Sequence, residues 1–279
     1  MSRKPLFVLP LTVVATAANA ADIAPPPPPV PQAIIDELTH FHIEGGPVFS
    51  SARITTQDPP DKFGVIPSDR GFYVGAALRH LSTPHWGWQI AATATWMREV
   101  TLTTPDAILI SNLRFQTFDI DAGFHPTSDL HQRLFFGLRV LHSTDSLSLE
   151  IPFDFSESTG EMWLFGPRAG IAWQTPIGAS SVAFVAEFSV AALFGHADVF
   201  FDMPFDTVDM SGNRAAFNAE GQVGFLVTPG DDFEITFGYR VQQWWGLRQA
   251  TEVDTFVTEA FVDTNKLIHG PFARVGIDF

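Results

Sequence analysis

From residue 41 to residue 279 the chain repeats one pattern, and that pattern restricts its fold more than any other feature. Runs of alternating apolar and polar residues fall at 41–52, 71–82, 86–100, 112–125, 132–147, 160–175, 180–196, 213–227, 232–248 and 267–279. Successive side chains of a strand point to opposite faces, so each run is predicted as a strand with one apolar face. In the ninth run Phe233, Ile235, Phe237, Tyr239 and Val241 share one face, while Glu234, Thr236, Gly238, Arg240 and Gln242 share the other. The connections alternate in length. Thr83 to His85, Pro126 to His131, Thr175 to Ala179 and Thr228 to Asp231 are short, and each carries the proline that a tight turn favours. The others, 53–70, 101–111, 148–159, 197–212 and 249–266, are long. Short turns at one end and long loops at the other are the signature of an all-β fold, a transmembrane antiparallel up-and-down β-barrel. Ten strands are expected; a fused or missed hairpin would make the number eight or twelve.

The alternation has a direction. Phe184, Phe188 and Phe194 oppose Glu187 and Ser189 in the seventh run, and Phe217, Val223 and Phe225 oppose Asn218, Glu220 and Gln222 in the eighth. Lipid outside and a polar interior would produce this. The fourth run breaks the rule, because Leu113 and Phe115 take one parity and Phe118, Ile120 and Phe124 the other. A bulge near Gln116 and Thr117 would reconcile them. The tryptophans Trp86, Trp88, Trp96, Trp163, Trp173, Trp244 and Trp245 fall near predicted strand ends, as two interfacial girdles require.

The last run places Ala273, Val275, Ile277 and Phe279 on one side and Arg274, Gly276 and Asp278 on the other. A terminal strand ending on an aromatic ring suits the seam of a barrel, and Phe279 is expected to be the signal that the barrel-assembly machinery reads. At the other end, Arg3 and Lys4 precede the apolar run Leu6 to Ala17 and then Ala18-Asn19-Ala20. That order predicts a cleaved signal peptide over residues 1–20. Residues 21–40, with Pro25 to Pro29 and Pro31, are expected to form an extended periplasmic spacer, and 41–279 the barrel. Without Arg3 and Lys4 the basic residues fall from 16 to 14 against 31 acids, a formal charge of −17. Such a surface excludes nucleic acid as a partner. There is no cysteine, hence no disulfide framework. Together these features imply export to a bacterial outer membrane, with its lipid and lipopolysaccharide as neighbours.

Several phrases carry a family resemblance. Trp163-Leu-Phe-Gly-Pro-Arg-Ala-Gly-Ile-Ala-Trp173, Phe237-Gly-Tyr-Arg240 before Trp244-Trp245, and His269-Gly-Pro-Phe-Ala-Arg-Val-Gly276 are similar to strands of the Legionella-type major outer membrane protein family. Phe136-Gly-Leu-Arg139 also looks similar. The resemblance implies a pore-forming outer-membrane barrel over roughly residues 41–279. The cysteine-linked assembly of some members of that family has no counterpart in this chain.

The inward parity carries Glu44, Arg79, Asp119, Asp121, Arg133, Arg139, Arg168, Glu187, Arg214, Glu220, Glu234, Arg240, Arg274 and Asp278. Charges inside a barrel need water or partners. They would line either an ion-selective, water-filled channel or a plug of salt bridges. The inward glycines Gly166, Gly170, Gly224, Gly238, Gly270 and Gly276 would let large side chains, chiefly arginines, lie across the wall. Loops 197–212 and 249–265 are acidic, which is read as solvated charge and not as a calcium loop. His196 and Asp198 could form a pair at the outer rim, but catalysis would need a second carboxylate pair, which only Asp206 and Asp209 could supply. No catalytic motif is visible, and neither an enzyme, a cofactor nor a metal is expected. Two functions remain. One is a porin-like pore for passive diffusion of small hydrophilic solutes or ions. The other is a closed structural or adhesive barrel that binds through its extracellular loops. Self-association stays open.

Overall fold

The computed structural model describes residues 38–51, 54–56, 69–104, 107–126, 131–151, 154–178, 180–203, 206–230, 232–246, 260–262 and 266–279. The expected signal peptide and most of the proline-rich spacer lie outside these residues. The spacer boundary at residue 40 moves, because the first strand begins at Leu38. Among the described residues twelve strands occur in chain order: β1 (Leu38–Ser51), β2 (Ile54–Thr56), β3 (Asp69–Leu81), β4 (Trp86–Thr104), β5 (Ala107–Phe124), β6 (Gln132–Ile151), β7 (Asp154–Pro176), β8 (Val182–Met203), β9 (Asp206–Val227), β10 (Phe233–Trp245), β11 (Ala260–Val262) and β12 (Lys266–Asp278).

Ten of them close a single antiparallel barrel in the order β1-β12-β10-β9-β8-β7-β6-β5-β4-β3. β2 and β11 pair separately as a short two-stranded sheet. The seam joins β1 to β12 with His40 opposite Asp278 and Phe41 opposite Ile277. Phe279 finishes it, since its N–H donates to the Thr39 carbonyl at 2.9 Å and its own carbonyl accepts from the Thr39 N–H at 3.2 Å. Closure leaves no sheet edge unpaired, the condition for a sheet in a bilayer. At the tight end the turns are short. The turn after β7 uses Gly178 at φ +64°, a left-handed conformation that glycine adopts without cost, and the Ser180 hydroxyl donates to the Ile177 carbonyl at 2.6 Å.

The opposite end differs from the sequence expectation. Stretches 101–111, 148–159 and 197–212, read as long loops, are mostly strand. The β4–β5 ladder runs out to Thr104 opposite Ala107, β6–β7 to Ile151 opposite Asp154, and β8–β9 to Met203 opposite Asp206. β7 alone has 23 residues, whereas a tilted strand crosses a bilayer in about 10. Beyond the lipid both faces of a hairpin meet water, so the apolar alternation that marks a strand in sequence fades while backbone pairing continues.

The bulge expected at Gln116–Thr117 is absent. β5 and β6 pair without a shift from Ile108 to Phe124, and the irregularity lies between Met97 and Val100 of β4. Leu113 and Phe115 therefore keep inward parity with Asp119 and Asp121, and all four are buried inside. Outside, Ile43, Phe72, Phe118, Phe136, Phe165 and Phe237 form part of an exposed apolar belt. Six of the tryptophans are on that outer surface. Trp244 is not; it points inward and is 0% exposed, because adjacent strand residues Trp244 and Trp245 cannot share a face.

Candidate functional site

The barrel interior has two layers, and each strand contributes to both in the same order. On β5 the inward residues Asp121 and Asp119 sit toward the tight-turn end and Phe115 and Leu113 toward the extracellular end. On β6 Arg139 precedes Leu141, on β7 Leu164 precedes Arg168, and on β10 Arg240 precedes Trp244.

Arg139 is the hub of the charged layer. Its Nε and Nη2 donate to Asp119 Oδ1 and Oδ2, each at 2.7 Å, from a register partner on β5. Its Nη1 donates to Asn218 Oδ1 at 2.5 Å and its Nη2 to Glu220 Oε2 at 3.3 Å, both on β9, three strands away round the wall. Arg240 reaches Glu44 at 3.1 Å and Glu220 at 2.5 Å. Arg274 donates through Nε and Nη2 to Glu44 Oε2, at 2.9 and 2.6 Å. Arg168 pairs with Asp121 and lies 3.6 Å from Asp119 and 3.7 Å from Glu187. Arg133 Nη1 and Arg79 Nε share one acceptor, Gln89 Oε1, at 2.6 and 3.4 Å. Nearer the tight turns, His40 stands between Glu234 at 3.0 Å and Asp278 at 2.8 Å. Desolvated charges are tolerable only when paired like this. Arg79 has the Gln89 amide oxygen as its acceptor and no carboxylate within ion-pair distance among the described residues, and Arg214 stands further apart. It lies beyond the apolar layer, donates to the neighbouring Asn213 carbonyl, and joins none of the ion pairs found among the described residues.

Aromatic rings share the interior with these charges. The Arg133 and Arg168 guanidiniums lie 4.9 and 4.7 Å from the Phe135 ring, and Arg240 lies 4.9 Å from Tyr73. The inward glycines expected to admit arginines make room instead for rings, a carboxylate and neighbouring backbone: at Gly166, Gly224 and Gly270 a Cβ would meet the backbone of the adjacent strand. A Cβ on Gly170 or Gly238 would strike Phe135 or Phe272, and one on Gly276 would come within 2.6 Å of His40. What space remains between Glu44, Arg79, Arg139 and Arg168 amounts to about 40 Å³. That volume is the space open to the centres of water molecules, and since one water needs about 10–15 Å³ by this measure, a few waters fit there.

The second layer is apolar, and sequence reasoning missed it. Leu113, Phe115, Leu141, Leu164, Leu193, Ala216, Trp244 and Ile268 are buried together. Phe115 on β5 and Trp244 on β10 meet edge to face with centroids 5.7 Å apart. Those strands are five places apart in a ring of ten, so the contact spans the barrel's diameter. Strands about 4.8 Å apart and tilted by about 40° give a backbone diameter of about 20 Å, which two inward rings and their neighbours fill. The signal was present in the sequence: inward parity continues unbroken from Asp119 to Phe115 on β5 and from Arg240 to Trp244 on β10.

On the outer wall, His142 stacks on Trp163 with ring centroids 4.1 Å apart, and Glu161 Oε1 accepts from Trp163 Nε1 at 3.0 Å. His142 Nε2 lies 3.1 Å from the same oxygen. His196 Nε2 is 3.3 Å from Asp198 Oδ1, and both residues are exposed on the outward face. The pair does not face the interior. Asp206 and Asp209 side chains lie outside the described residues. Among the described residues no cluster of three or more metal-ligating side chains occurs.

No protein-family model matches the chain, and no curated protein does. Solved structures do match. The outer membrane protease OmpT from Escherichia coli is 8% identical, over 88% of this chain and 97% of that one, with a TM-score of 0.52. The fold is that of an outer-membrane barrel. At this identity the likeness extends to the fold alone and brings no activity with it. Ail from Yersinia pestis, at 12% identity over 86% of this chain and 98% of that one, has a TM-score of 0.35. A major outer membrane protein from Thermus thermophilus, at 12% identity over 86% and 99%, has 0.39. Both alignments are too loose to support an argument. A closed barrel with a lipid-facing apolar belt has its place in the bacterial outer membrane.

Proposed function

We propose that this barrel is closed and works at the cell surface, as a structural or binding protein, through the strand extensions that rise beyond the lipid. The observation that carries this reading is the Phe115–Trp244 contact across the full diameter. A porin-like role, which the charged inward residues suggested, needs a continuous aqueous path. Here an apolar layer lies above the charged one, and the pocket between the charged side chains, with about 40 Å³ open to water centres, has room for a few waters. The charged residues Glu44, Arg79, Asp119, Asp121, Arg133, Arg139, Arg168, Glu187, Glu220, Glu234, Arg240 and Arg274 then act as internal cross-bracing and not as a selectivity filter. Kinship with the Legionella-type major outer membrane protein family belongs to this proposal only through the strand motifs at 163–173, 237–245 and 269–276. The exposed Phe279 ring at the seam is the part that the assembly machinery would read.

Planar-bilayer recording on refolded protein tests the proposal. The expected trace shows no conductance steps above the bare bilayer. Reproducible single-channel steps from the unmodified chain would overturn it.

A further inference from the structure

Strand register on the outer wall of β5 to β9 draws a sharp boundary. Phe118, Val140, Phe165, Phe194 and Ala215 lie side by side in one apolar row. The next row toward the cell surface is Gln116, His142, Trp163, His196 and Asn213, and the one after it Arg114, Thr144, Glu161, Asp198 and Ser211. Rows are two residues apart, about 5 Å along the axis of a barrel whose strands tilt by about 40°. Apolar wall thus gives way to polar wall in one step, with Trp163 at the step as an interfacial indole.

Directly above that step lies a groove of about 500 Å³, which Arg114, Thr144, Glu161, Asp198 and Phe200 help to line. It opens outward, on the wall and not into the lumen. Its floor is preorganised: the His142–Trp163 stack holds Glu161 by the contacts described above, so little ordering cost remains for a ligand.

We propose that this groove holds the phosphorylated sugar headgroup of an outer-leaflet glycolipid of the lipopolysaccharide class. This deepens the surface-binding reading above and rests on it. Three features favour this occupant. The groove begins within one row of the hydrocarbon edge, which is the depth of headgroups. Arg114 offers a planar donor fork for one phosphate. Asp145, Glu161, Asp198, Asn112 and Thr159 offer acceptors and donors for sugar hydroxyls. The lipid's acyl chains would lie along Phe165 and Phe194, and tethering in the same leaflet raises the effective concentration of the headgroup.

The test uses the refolded full chain in detergent, with deep-rough lipopolysaccharide, phosphatidylglycerol and the deacylated lipopolysaccharide sugar as probes. Adducts are counted by native mass spectrometry. Wild type is expected to retain lipopolysaccharide in preference to the other two probes. Arg114→Glu should weaken that retention about tenfold, the loss of one charge-assisted contact, and Trp163→Ala should weaken it too. Heat-modifiable mobility on gels verifies that both variants are folded. Equal retention by wild type and folded Arg114→Glu would overturn the proposal, as would equal binding of phosphatidylglycerol or of the deacylated sugar. A barrel that neither conducts nor prefers lipopolysaccharide would sink this inference and leave the closed barrel standing.

Discussion

Phe115 and Trp244 belong to strands on opposite sides of the barrel, yet their rings touch, 5.7 Å between centroids. This contact makes the interior a packed core at that level. Trp244→Ala should cost about 3–5 kcal/mol, as large aromatic truncations in packed cores do. It should not conduct by itself, because the charged layer beneath remains filled. Urea unfolding in lipid vesicles and bilayer recording read the two effects separately. Conduction by the single variant would mean that the charged layer does not seal.

The charged layer depends on Arg139. Replacing it with methionine leaves Asp119, Glu220 and Asn218 without their shared donor. Removing one partner of a buried ion pair strands the other, at a cost of about 3–5 kcal/mol. The companion variant Arg139→Met with Asp119→Leu should recover part of that loss. The urea midpoint of the double variant should therefore lie above that of the single one; a lower midpoint would show that the pair is not coupled as the geometry implies.

His40 ties three strands together at the seam, bridging Glu234 on β10 and Asp278 on β12 from β1. His40→Ala removes both bridges and leaves space beside Gly276. A loss of about 1–3 kcal/mol is expected. It should show as a lower temperature for the shift in gel mobility that accompanies barrel opening. Gly276→Ala should act in the same direction, because its Cβ would crowd His40 and Glu234.

His125, in the turn after β5, supplies a pH dependence. Burial, with the Arg133 and Arg79 guanidiniums next, pushes its pKa from 6.5 down to about 4. The unfolded chain therefore binds more protons than the folded one between these values, so folding stability falls as pH drops through that window. Above about pH 6.5 the effect is absent. His125→Gln should flatten this part of the stability curve relative to wild type. Urea midpoints at pH 7, 5.5 and 4.5 measure it, and parallel curves for the two proteins would refute the assignment.

Strand placement was legible because lipid imposes alternation wherever the wall crosses it. All ten barrel strands overlap the alternating runs, and the short turns fall on their proline-bearing segments. Legibility failed where the imposing solvent changed. In 101–111, 148–159 and 197–212 the apolar alternation lapses while backbone pairing continues, so nothing in the side-chain pattern announced a strand. At Trp244 and Phe115 aromatic character misled, although parity places both inward. Their rings suggested lipid, but neighbours on the same strands had already claimed the outward face: Trp245 beside Trp244, and Phe118 three residues beyond Phe115.

By itself the sequence determined that the chain makes an outer-membrane type of barrel, which residues face lipid, and which of its ends turns tightly. These are local consequences of a period of two against an apolar medium. Whether the inside is open was decided by tertiary structure alone. Parity says that Phe115 and Trp244 both point inward; it does not say that they meet. That follows from closing ten tilted strands into a ring about 20 Å wide, which brings side chains 129 positions apart in sequence within reach of one another.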